Sequence, residues 1–274
     1  MAAKSISLLS ILALSAAAAA CATAPEPHSG YLSTYDGLQT RSNTVRASIS
    51  ERRDETLAQS IERIRIERAE LTAEAADALT PEEWALVLGE VDRQVCYELS
   101  ERFTVVETDE AGVGRVRVAA TRISPTNPAG SAAAAAANWF IPGPIGVRAP
   151  GSTGGLAAEA ELLAPDGRQA AALVWARNAT VVGTDSPSLS KVGDAHQLAE
   201  AFGDMVGDAF APADRKPRAI PDPDPCARYG PRNRPEGFVT RAVTGLYQPE
   251  LSGGPKQEGP SPAPRSDPDR KSVV

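Results

Sequence analysis

Leu156-Ala157-Ala158-Glu159-Ala160-Glu161-Leu162-Leu163, followed by Pro165-Asp166-Gly167 and Gln169-Ala170-Ala171-Ala172-Leu173-Val174-Trp175-Ala176-Arg177, is the stretch that decides the fold. Two runs of strand length flank a turn in which each residue has a separate job. Proline presets φ, aspartate bonds its own backbone, and glycine takes a positive φ. The runs therefore read as an antiparallel hairpin. Their alanines leave room for close packing by a helix. Glu159 and Glu161 alternate on one strand face; they could be a general acid and base, but an exposed polar face accounts for them without chemistry.

Outward from the hairpin, two helices supply that packing. Thr80-Pro81-Glu82-Glu83 is a capping box with proline at the first helical position. Trp84, Leu88, Val91, Val95 and Leu99 then recur on one face, and the helix should end near Arg102. Beyond the hairpin, Ser188 stands as a cap for a last helix. Its stripe is Val192, Ala195, Ala199, Phe202, Val206 and Phe210. Ile61–Leu71, Phe103–Glu107 and Arg115–Ile123 read as further strands, the first from its alternating Ile64 and Ile66. Residues 44–60 are weakly helical in composition. The fold class expected is α/β (α+β): a mixed sheet of about five strands with two main helices packed on it.

Between strand and hairpin, residues 125–154 read as a long irregular loop carrying six alanines and then Trp139-Phe140-Ile141. Loops of this length in a compact domain often carry function. These three residues are the candidate contact site. Apolar residues filling the edge of the core are the plainer alternative.

Four regions follow: a signal segment (1–20), a tether and N-terminal cover (21–60), a globular α/β domain (61–211) and a Pro-rich, largely disordered tail (212–274). Thirteen of the 23 prolines lie in the tail, where Phe238, Ala242, Val243 and Leu246 suggest one short docking helix. In the cover, Tyr31, Tyr35 and Leu38 have helix-like spacing and suggest a turn laid against the body.

The N-terminus decides the compartment. Lys4, a short apolar run from Ile6 to Leu14 and the small residues Ala16–Ala20 have the layout of an export signal. The apolar run is shorter than the ~20 residues a spanning helix needs. Cys21 directly after the small residues resembles a bacterial lipobox, although Ala18 stands where a bulky leucine is usual. Ordinary cleavage at Ala18-Ala19-Ala20 or Ala22-Thr23-Ala24 is the competing reading. Lipid attachment at Cys21 would hold the chain on a membrane.

Charge excludes one class of partner. Residues 22–211 carry 16 basic and 27 acidic groups, a balance of −11 in a chain whose net charge is −7, so nucleic acid is not an expected ligand. In an exported chain Cys96 and Cys226 can form a disulfide, or Cys96 can remain a buried thiol.

Catalytic chemistry finds little support. His196 has Glu200 one turn on, but nothing completes a metal site, and no cofactor motif occurs. Ser188-Leu189-Ser190-Lys191 matches S-x-x-K without the companion elements of serine acyl enzymes. No catalytic residue, metal or cofactor is therefore expected.

Cys21, the Ser29-Gly30-Tyr31-Leu32-x-x-Tyr35-x-x-Leu38 cluster, Gly114–Thr121 and Gly154–Leu163 occur in that order. Together they resemble a family of bacterial lipoproteins of unknown function, over roughly residues 21–210. The resemblance implies an α/β body in the cell envelope and no catalytic residues. Ala22, in place of aspartate after the cysteine, implies the outer membrane, facing the periplasm. The function expected is a lipid-anchored, non-enzymatic binding or assembly module with an envelope protein as partner. A small-ligand carrier and a serine hydrolase are the alternatives.

Overall fold

The computed structural model describes residues 23, 25–42, 44, 46–72, 75, 79–108, 110–141, 145–232 and 234–252. The signal segment, Cys21 and residues 253–274 lie outside the described residues.

The architecture is a mixed eight-stranded sheet with helices packed on it. The hairpin sits at its centre as β8 (Gly155–Leu163) and β9 (Gln169–Asn178). Gly167 takes φ +85° and Arg168 N–H donates to Asp166 Oδ1, as the turn residues require. β6 (Gly114–Ser124) pairs antiparallel with β8, and β3 (Arg63–Ile66) pairs parallel with β6. The short β4 (Glu70–Leu71) continues beside β6, and β5 (Thr104–Val105) closes that edge on β3. On the other side, β2 (Ala47–Arg53) pairs with β9 and β1 (Gln39–Thr40) with β2. The order is β1-β2-β9-β8-β6-β3-β5, with β4 beside β6.

β2 corrects the helical reading of 44–60. Only Ile49 of that strand is buried. Its Arg, Glu and Ser side chains mask the alternation, and pairing with β9 supplies the extended conformation that composition does not. Only Glu55–Gln59 of that segment is helical (α1), capped by Asp54.

α2 (Pro81–Ser100) has the expected capping box, with Glu83 N–H donating to Thr80 Oγ1 and Thr80 N–H to a Glu83 carboxylate oxygen. It forms the crossover between parallel strands β3 and β5, a connection that needs a helix-length segment. α4 (Gly193–Phe210) buries every residue of the expected stripe but starts later than expected. Ser188 does not cap it; its Oγ accepts from Ser190 N–H, and Val192 occupies the cap position. The two helices pack on each other and on one face of the sheet. A Cβ on Gly203 would stand 2.8 Å from Gln94 backbone, so glycine sets how closely they approach. The core between helices and sheet includes Leu162, Leu173, Trp175, Phe202 and Phe210.

The other face of the sheet is covered by residues 26–38. Leu32 packs on Ala172 and Val174, with Tyr31, Tyr35 and Leu38 around it. The cover is irregular rather than helical. Glu159 and Glu161 point into it, and both are fully buried, which corrects the exposed-face reading. Ser29 N–H and Oγ–H and Tyr35 Oη–H donate to Glu159 at 2.9, 2.8 and 2.6 Å. Ser33 N–H and Oγ–H, Gln169 and Arg117 donate to Glu161. The carboxylates thus satisfy backbone donors that no strand pairing reaches. Burial pushes the Glu161 carboxyl up, but the Ser33 and Gln169 hydrogen bonds and the Arg117 charge outweigh it, and the group lies below the ordinary carboxylate value.

Residues 212–252, read as the start of an extended tail, instead run back over α2. Cys226 is joined to Cys96 of α2, across 130 residues of chain. Arg215 and Arg218 donate to the carbonyls of Ile61 and Phe103. A 3-10 turn (Ala227–Tyr229) precedes α5 (Pro235–Thr244) and α6 (Pro249–Ser252). Tyr247 is buried against His196.

Candidate contact surface

The segment read as an irregular loop contains a helix, α3 (Pro128–Asn138). Asn127 accepts from Gly130 N–H and Pro128 takes the first helical position, a start signal present in the sequence. The alanine run hid it, since a run of identical small residues has no apolar period to detect. Alanine is nevertheless the best helix former.

α3 ends by presenting Trp139 and Phe140 to solvent, 74% and 84% exposed. After residues 142–144, which lie outside the described residues, the chain returns through Ile145 and β7 (Gly146–Val147). β7 pairs antiparallel with β10 (Val182–Gly183), Val147 opposite Val182. Asn138 Oδ1 accepts from Val147 N–H at 2.8 Å and ties the helix end to this two-stranded ribbon. Ile141 after the helix, and Ile145, Val147 and Val182 on or beside the ribbon, are exposed as well. Single exposed apolar residues need no explanation, but six gathered on one ledge do.

The ledge stands on a buried ionic frame. Arg148, next after β7, puts its guanidinium on Asp194 in the first turn of α4, at 2.6 and 3.0 Å. Both side chains are 1% exposed or less. Arg148 also donates to Ser131 Oγ of α3 and to Ser152 O. Asp194 accepts in addition from Gly154 N–H at 2.6 Å. A carboxylate in the first turn of a helix is favoured by the helix dipole. One ion pair therefore joins α3, β7, the start of β8 and α4. Sequence reading missed it because Arg148 and Asp194 lie 46 residues apart and belong to no motif.

The other expected residues are dispersed. Lys191 pairs with Glu83 at 3.8 Å, while Ser188 is fully buried, so the S-x-x-K residues are turned to different partners. His196 Nδ1 lies 2.8 Å from Tyr247 Oη and Nε2 3.7 Å from Glu90, groups supplied by the C-terminal segment and by α2. Burial holds the His196 imidazole below its ordinary value of 6.5, against the pull of Glu90. Among the described residues no cluster suits a metal ion, and no helix is long and apolar enough to cross a membrane. An open groove of about 490 Å³ lies beside β3, lined by Arg65, Arg68, Glu67, Glu107 and Tyr229. Its walls carry charges of both signs and belong to neighbouring ion pairs such as Arg68–Asp92 and Arg228–Glu107.

Residues 27–206 match the model of a protein family of unknown function, DUF3313. The chain belongs to that family. The DUF3313 match spans the cover over β8, the whole sheet, the ledge and most of α4, and stops short of the C-terminal segment. No curated protein matches the chain. Among solved structures it is similar to the PelC dodecamer from Paraburkholderia phytofirmans, at 8% identity and a TM-score of 0.35. The similarity covers 60% of this chain and 96% of that one. A point variant of the same dodecamer in another crystal form gives 8% identity and a TM-score of 0.35, covering 61% and 99%.

Proposed function

We propose that this DUF3313 chain is a lipid-anchored, non-enzymatic binding or assembly module of the cell envelope. It is attached through Cys21 at the outer membrane and faces the periplasm. The observation that carries the binding role is the ledge of Trp139, Phe140 and Val182. It exposes apolar side chains, yet its frame is fixed by a fully buried Arg148–Asp194 pair. A buried charge pair costs desolvation and is tolerated where it holds one arrangement in place. A module that needed no contact there would gain by making the same residues polar.

Membrane fractionation of cells expressing the wild type and Cys21→Ser, with labelled palmitate, tests the anchor. Label in the wild type and its absence from the variant is the expected result. A membrane-bound wild type that carries no label ends the anchor reading. A photo-crosslinking residue at position 140 tests the contact role. Adducts are expected from position 140 and not from the fully buried position 202.

A further inference from the structure

We infer that the Trp139–Phe140–Val182 ledge seats on a lipid surface, the same bilayer that the proposed Cys21 anchor enters. Thr23 Oγ–H donates to Arg46 O at 2.9 Å, and Asn178 N–H reaches Thr23 Oγ1 at 3.4 Å. These contacts hold Thr23 at the end of the sheet where β9 finishes and β2 starts. Two residues of chain reach at most ~7 Å, so an acyl group on Cys21 must start close to this spot.

The ribbon that carries Val182 starts near the same spot. β10 follows Asn178 by four residues, and a Cβ on Gly183 would lie 3.9 Å from Arg46 Nη2. Val182 pairs with Val147, Val147 is bonded to Asn138, and Trp139 comes next in the chain. Anchor point, ribbon and exposed aromatics therefore form one continuous run at one end of the sheet. A chain tethered within a few residues of its own apolar ledge brings that ledge to the bilayer before any diffusing partner arrives, because tethering raises the effective concentration. The chemistry suits the site. Tryptophan is enriched at the headgroup level of membranes, and Phe140, Ile145 and Val182 gain by leaving water.

This inference rests on the proposed attachment through Cys21, and the test supplies that attachment chemically so the two can fail separately. The mature chain from Cys21 is coupled by its thiol to a maleimide lipid in phosphatidylethanolamine–phosphatidylglycerol vesicles containing bromine-labelled acyl chains. Trp139 emission should shift to the blue and be quenched, and Trp139→Phe should remove that quenched fraction, leaving the emission of Trp84 and Trp175. For the uncoupled Cys21→Ser chain, Trp139→Ser and Phe140→Ser should each weaken partition to vesicles about tenfold. Unquenched Trp139 on vesicles that demonstrably carry the coupled protein overturns the inference. So does a protein adduct at position 140 in cells together with unquenched emission, which would assign the ledge to a protein partner. Absence of fatty acid on Cys21 from cells would sink the anchor reading and leave this measurement standing.

Discussion

The two faces of the central hairpin are covered in opposite ways. On one, Leu162, Leu173 and Trp175 meet Phe202 and Phe210 in an apolar layer. On the other, one residue along each strand, Glu159 and Glu161 meet Ser29, Ser33 and Tyr35 through hydrogen bonds. The helices bring their backbone groups already satisfied, so only apolar area matters at that face. The cover has no secondary structure, so the sheet must satisfy its N–H groups as well as bury its side chains. Buried carboxylates do both, and they make the second face specific in geometry and sensitive to protonation in the carboxylate range.

That contrast can be broken by experiment. Phe202→Ala should have the largest effect, about 3–5 kcal/mol less stable in denaturant unfolding, because Phe202 is fully buried against Trp175. Replacing Cys96 and Cys226 together with alanine should cost about 2–5 kcal/mol, given the long loop they close. Its second sign would be faster proteolysis within 212–252. Glu159→Gln should cost less, about 1–3 kcal/mol, and open residues 26–38 to protease while leaving the helix side intact. Equal proteolysis on both sides would show that the faces are not separable.

The pH dependence sharpens the same comparison. Glu161 lies below its ordinary value in the folded chain, so the unfolded chain binds more protons as pH falls through the usual carboxylate range. His196 also lies below its ordinary value, so the unfolded chain takes up its proton first as pH falls past about 6.5. Both make stability rise with pH and fall in acid. The denaturant midpoint should drop in two stages, the first reduced in His196→Gln and the second in Glu161→Gln. Smallest of all, Trp139→Ser should change stability by less than about 0.5 kcal/mol, since the ring is 74% exposed. A large loss there would make the ledge structural.

Local signals were legible where one residue type has one physical use. Pro165-Asp166-Gly167, the Thr80–Glu83 box and the stripe from Val192 to Phe210 each specify an element without help from elsewhere. β2 was not legible, because a charged strand next to the sheet edge takes its conformation from its partners. α3 was signalled by Asn127-Pro128 but obscured by its alanines. In the candidate site, Trp139, Phe140 and Ile141 were readable from hydropathy alone, whereas Ile145, Val147 and Val182 joined them only through β7–β10 pairing.

By itself, the order of residues determined the central hairpin, the two main helices and an α/β body, because turn chemistry, capping and periodicity act over a few residues. Tertiary structure decided that Glu159 and Glu161 are buried rather than solvated, that Arg148 meets Asp194, and that Thr23 lies beside Arg46 and Asn178. Each of those depends on groups between 23 and 155 residues apart. Composition carries no signal at that range, and only packing brings such groups within bonding distance.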